Sequence, residues 1–222
     1  MMMIQIKYTC QSARVPEHAQ KLKKKIPYIG MQNSLMSDKL QRALGAVAFE
    51  LTFQEFERRV QGVTAAEIEE WNLLPRMIFE ARSHKTPVEP KVRWLLDHGA
   101  NPNHHDTSGF SPLSEAARFK FPGVVRMLVS AGADVNYKDS AKDTHGCGGL
   151  TALMHAVDSA KYTGDTSMIA VLIELKADPF ISNENGHTVY DLVRPSDMYY
   201  ARIMAELPPA PVHPPPPELV HI

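Results

Sequence analysis

The pentapeptide Gly99-Ala100-Asn101-Pro102-Asn103 returns 33 residues later as Gly132-Ala133-Asp134-Val135-Asn136, and a degenerate third copy stands at Lys176-Ala177-Asp178-Pro179-Phe180. An apolar pair precedes each copy: Leu95-Leu96, Leu128-Val129 and Leu172-Ile173. A second element recurs as Gly109-Phe110-Ser111-Pro112-Leu113, Gly149-Leu150-Thr151-Ala152-Leu153 and Gly186-His187-Thr188-Val189-Tyr190. A period in this range announces stacked units, each too small to bury its own apolar face. The local chemistry says what each unit is. Ser111 or Thr151 can cap a first helix, and Gly132 suits the left-handed residue that ends a second one. The polar stretch after that glycine suits a protruding hairpin.

These residues resemble the ankyrin repeat, over about residues 73–207. The copy from Asp106 to Lys138 follows the family pattern without a gap: Ser111-Pro112-Leu113 stands where the family has Thr-Pro-Leu, Ala116-Ala117 fill the small-residue pair, and Leu128-Val129 fill the leucine pair. The expected fold is therefore all-α, an ankyrin-repeat solenoid of helix-turn-helix repeats with short β-hairpin loops. It holds three to four repeats, the first blurred around Arg76–Arg82 and the last, Gly186–Leu207, truncated at Pro195. Gly109 to Gly149 spans 40 residues, which places seven extra in the hairpin at Ser140–Gly148. Gly149 to Gly186 spans 37, which places four extra in the interhelix turn near Lys161–Asp165. The enlarged hairpin is expected either to order on binding a partner or to be a tolerated surface insertion.

Three flanking segments complete the chain. Residues 1–30 carry six basic side chains and one acidic, with a knot at Lys21, Lys23, Lys24 and Lys25, and read as a basic, partly disordered arm. Residues 31–72 read as a helical cap. In it Ser37 caps a stripe of Leu40, Leu44, Val47, Ala48 and Leu51, and Thr52–Glu55 and Thr64–Glu67 each show the capping-box pattern. Phe53, Phe56 and Val60 share one face behind Thr52, and Ile68 and Trp71 follow Thr64. Such short helices cannot bury their own stripes and are expected to cover the open edge of the first repeat with Leu44, Phe53, Phe56 and Trp71. Residues 208–222 are Pro-rich, with seven prolines among the ten residues from Pro208 to Pro217, a density that enforces an extended polyproline tail.

Composition narrows the function. A formal charge of −1 leaves no global basic field for a nucleic-acid backbone, and only the lysine knot points that way. No run of about 18 apolar residues exists, so no membrane span is expected. Two cysteines, Cys10 and Cys147, cannot make a disulfide framework, which favours free thiols and a cytoplasmic location. No phosphate-cradling glycine loop, paired CxxC or HExxH occurs, and no cofactor or catalytic residue is expected. His104-His105 in one hairpin and His145 with Cys147 in the next suggest zinc. Adjacent histidines, however, are poor spacing for one tetrahedral ion, and solvent-exposed loop histidines are the simpler reading, with no metal. His98 before Gly99 reads as a helix-end partner for terminal carbonyls.

What the resemblance implies is recognition of another protein, as adaptor or inhibitor, by a chain that is monomeric alone. In this family the hairpin tips and exposed inner-helix positions make the contacts. On matching positions these are Thr107, Ser108, Phe110, Arg118, Phe119 and Lys138 in the best repeat, Asp158 and Ser159 in the next, and Glu184 and His187 in the last. Phe110 and Phe119 are the expected hot spots, with packing against the adjacent hairpin as the competing role. A second class stays open. Repeat arrays joined to unfamiliar helical segments look similar to secreted bacterial or viral effectors, in which the N-terminal region would act and the repeats would target it in the host cytosol.

Overall fold

Apolar residues three and four apart dictate helices, and a computed structural model shows how they stack; it describes residues 38–48, 51–83, 87–140 and 148–210. The basic arm, Ser37, the hairpin residues 141–147 and the polyproline run beyond 210 lie outside the described residues. The described residues from Lys39 onward form one compact unit.

The helices preceding the array start it. Helix α1 (Asp38–Ala48) buries Ala43, Ala46 and Val47, and Lys39 reaches across to Glu67 at 2.6 Å. Helix α2 (Phe53–Val60) is capped by Thr52, whose hydroxyl accepts the Glu55 N–H at 3.3 Å, while Glu55 pairs with Arg58 and Arg59. Helix α3 (Ala65–Glu70) has the full capping box between Thr64 and Glu67. Of the three residues expected on the α2 face, Phe56 and Val60 are wholly buried, whereas Phe53 keeps 37% of its surface in solvent.

Helix α4 (Leu73–Ala81) pairs with α5 (Glu89–Asp97), α6 (Pro112–Arg118) with α7 (Pro122–Ser130), and α8 (Ala152–Thr163) with α9 (Ser167–Glu174). The first helices, α4, α6 and α8, pack side by side as one layer, and α5, α7 and α9 pack behind them as a second. Ser111 and Thr151 cap α6 and α8 by accepting the N–H groups of Ser114 and Met154. The apolar pairs divide as a two-layer fold requires. Leu95, Leu128 and Leu172 are fully buried between the layers, and their neighbours Leu96, Val129 and Ile173 only partly. The small Ala116-Ala117 pair is likewise fully buried, which lets the paired helices approach closely. Gly132 adopts φ 94°, the left-handed conformation that a side chain would strain.

The four extra residues of the third repeat do not enlarge its turn. Three residues join α6 to α7 and three join α8 to α9; the insertion instead extends α8 to 12 residues against 7 in α6. Burial of Ala160 against the neighbouring elements rewards the extra helical turn, and Gly164 ends it at φ 70°. In the last repeat the inner-helix position is a run of turns with Pro195 in it; Val189 and Val193 plug the core there, and α10 (Tyr200–Glu206) packs on α8 and α9.

No β-strand occurs among the described residues, and the hairpin loops are closed by a few backbone hydrogen bonds each instead of ladders. Asp106 N–H bonds the Phe110 carbonyl, Asp139 N–H that of Leu150 and Asn183 N–H that of His187, each at 2.9 Å. Side chains do the rest. Asp106 Oδ1 accepts the N–H groups of Ser108 and Phe110, and Asn183 Oδ1 those of Asn185 and His187. Asn103 and Asn136 each accept a backbone N–H of the following loop, from Asp134 and Asp178, and so lock neighbouring loops in register.

Candidate protein-binding surface

Counting from the first residue before each inner helix (Asn72, Ser111 and Thr151) puts equivalent side chains in columns. Position four of that count holds Arg76, Glu115 and His155; position seven holds Phe79, Arg118 and Asp158; position eight holds Glu80, Phe119 and Ser159. Because i and i+3 or i+4 lie on one helical face, positions seven and eight border a single strip across the stacked helices.

On that strip aromatic rings and guanidinium groups interleave. Phe119 meets Phe79 edge-on with ring centroids 6.0 Å apart. The Arg82 guanidinium lies 3.5 Å above the Phe79 ring and 5.6 Å from that of Phe119. Arg118 lies 5.1 Å from the Phe110 ring and 5.4 Å from Phe119. Phe110, in the hairpin, rests 5.8 Å from the His155 ring on the next inner helix. Phe79 keeps 37% of its surface in water and Phe110 and Phe119 are half-buried, so the row is a ledge and not a core.

Beneath the ledge sits a buried polar cluster. Glu115 is 1% exposed; Arg118 reaches its Oε1 at 3.3 Å, and its Oε2 has no hydrogen-bond partner. Burial pushes the Glu115 carboxyl above the ordinary range, against the pull of Arg118. Next to it Asp139 is buried and accepts the Ser111 N–H on one oxygen while His155 Nε2 lies 3.0 Å from the other.

The ten expected contact residues fall in different places. Phe110, Arg118 and Phe119 come together on the ledge. Thr107 and Ser108 are exposed at the tip of their hairpin, with the Ser108 N–H held by Asp106. Lys138 is exposed beside Gly149, and Glu184 lies against Gly148 and Gly149. His187 is exposed in the last hairpin. Asp158 is exposed but paired with Lys161 at 3.2 Å, and the Ser159 carbonyl is taken by the Thr163 hydroxyl. Phe119 meets Phe79 of α4, and Phe110 meets His155 of α8. Of the zinc candidates, His104 is occupied with Asn72 and Glu69, and His145 and Cys147 lie outside the described residues.

Sequence reasoning missed Phe79, Arg82 and Tyr162. Phe79 occupies the same column as Arg118, but the signal is faint because α4 starts at a left-handed Asn72 (φ 52°) without a side-chain cap. Tyr162 is 74% exposed on the turn that the insertion adds to α8.

The two-layer stack of helix-turn-helix units, with loops locked by Asn and Asp side chains, is matched by the model for ankyrin repeats (three copies) over residues 64–139. Residues 64–139 are ankyrin repeats. The array continues past the match, since α8 and α9 repeat the same pairing. Ankyrin repeats are protein-interaction modules. Over 105 residues, 46% of its length, the chain is 35% identical to a probable E3 ubiquitin-protein ligase of Oryza sativa subsp. japonica. It spans 18% of that protein. No helix among the described residues is long and apolar enough to cross a membrane.

Proposed function

We propose that the chain is a binding adaptor or inhibitor that grips a partner protein with the inner-helix face and hairpin tips of its ankyrin array. The observation that carries this is the solvent-open ledge of Phe79, Phe119 and Phe110 under two guanidiniums, on a fold whose other inner-helix apolar side chains are largely interior. Aromatic and arginine side chains dominate binding energy once a partner desolvates them. The chain works by recognition and not by catalysis, in the reducing cytoplasm and as a monomer. Helices α1 and α2 share one core with the repeats, as Phe56 does by meeting Trp94 of α5 edge-on at 5.7 Å, and this favours a structural cap over a separately acting module.

The test is affinity capture from a cell lysate with the intact protein and with the Phe110→Ala/Arg118→Ala/Phe119→Ala variant. Capture of a defined set of proteins by the first, lost by the second at unchanged melting, is the expected result. Equal capture by both would overturn the reading.

A further inference from the structure

We propose that the ledge is a docking site for an acidic segment of the partner, whose carboxylates pair with Arg82 and Arg118. This rests on the recognition role proposed above and names its chemistry. Three features of the surface support it.

The first is uncompensated charge. Among the described residues the Arg82 guanidinium donates to the Phe79 carbonyl at 3.0 Å and no carboxylate pairs with it. Arg118 has one carboxylate contact, to the Glu115 Oε1 at 3.3 Å, and keeps 44% of its side chain in solvent. A guanidinium carries five N–H donors in a fixed fork, so most of those of Arg118 remain for a ligand. The second is weak internal competition. Glu115 is sealed beneath Arg118, and its burial favours the neutral acid, so the counter-charge facing Arg118 is reduced. Glu80, half-exposed on α4, is the remaining carboxylate of these two inner helices.

The third is geometry. Both guanidiniums flank the single Phe119 ring, at 5.6 and 5.4 Å from its centroid. Side chains i and i+2 of an extended segment share one face about 7 Å apart, a spacing that two cations around one ring accept. The rings hold the arginines in place by cation–π contact, so little rotamer entropy is lost when carboxylates arrive. The same contact argues against nucleic acid: the faces a base would stack on are already taken by guanidiniums, and two cations on a near-neutral chain are too few for a phosphate backbone.

The experiment is selection from a random-peptide display library on the full chain, followed by titration of the selected peptides against wild type and the Arg82→Gln/Arg118→Gln variant. Both side chains are exposed, but Arg118 also reaches the buried Glu115, so melting is read beside binding, and Arg82→Gln alone, which breaks no carboxylate contact among the described residues, keeps the test free of that loss. Selected peptides should be enriched in Asp and Glu, weaken with added salt, and bind the variant about tenfold or more weakly. Failure to select any peptide, selection without acidic enrichment, or equal binding by the variant would each overturn the proposal. If non-acidic peptides emerge and still lose affinity with Phe110→Ala/Phe119→Ala, the recognition role stands and only the acidic chemistry falls. If no selected peptide responds to either variant, both readings fall.

Discussion

His155 on α8 and Asp139 in the preceding hairpin meet at 3.0 Å between Nε2 and Oδ2, and the second oxygen of the same carboxylate accepts the Ser111 N–H at 3.0 Å. One buried side chain thus joins a hairpin to the start of α6 and to the body of α8. Asp139→Ala leaves the Ser111 N–H buried without an acceptor and should cost about 2–3 kcal/mol. Asp139→Asn, which keeps an acceptor oxygen, should cost less. Urea unfolding of the three proteins decides it, and a loss below about half a kcal/mol for the alanine variant would mean the contact does not bind the repeats together.

Acid should erode the fold through two half-buried carboxylates. The Lys39 ammonium and the Thr64 groups hold Glu67 down from 4.5 to about 2. The Ser167 hydroxyl and N–H, then Lys120, hold Asp165 down from 3.8 to about 2. Each binds its proton more tightly in the unfolded chain, so the stabilisation is whole above its ordinary value and disappears as pH falls toward 2. Glu115 has the opposite sign. Its raised value means the folded state holds the proton more tightly, so the penalty is full only above that raised value. Melting temperature against pH should therefore flatten in Glu67→Gln. Glu115→Gln should instead raise melting near neutrality and fall more steeply in acid.

Removing everything before Leu73 should expose the first repeat. Helix α3 packs on α4 and α2 packs on α5, where Phe56 meets Trp94 edge-on. The truncated protein should aggregate or melt early, as an array without its terminal cap does. A monomer with unchanged melting, by size-exclusion chromatography and calorimetry, would make the preceding helices an independent module.

Gly164 is irreplaceable for two separable reasons. Its φ of 70° is left-handed, and a Cβ there would stand 2.6 Å from Cε1 of the Tyr199 ring. Gly164→Ala should cost about 1–3 kcal/mol, from backbone strain plus displacement of the ring. Adding Tyr199→Ala should make the alanine at 164 less costly but not free, since the strain remains. A double-mutant cycle showing no coupling would place the ring elsewhere.

Much of this architecture is local, and local chemistry is legible in a chain. Ser111 and Thr151 cap helices with the N–H groups three residues on, Gly132 turns left-handed, and the apolar pairs repeat at the period of the stack; none of these needs a distant neighbour to be recognised. The ankyrin array and the buried Leu128 and Leu172 follow from that alone. Tertiary contacts decided the rest. Four inserted residues could loop out or extend a helix, and burial of Ala160 with Tyr199 over Gly164 made them helix. Phe53 and Phe56 share a periodic stripe, yet only Phe56 finds Trp94 to pack against. The ledge exists only because stacking brings Phe79 of α4 to Phe119 at the end of α6, rings that are far apart in the chain and whose register begins at an uncapped Asn72. Capping and periodicity are short-range and leave a signature in every repeat, whereas the meeting of two side chains across a stack is set by the packing of whole helices and leaves none.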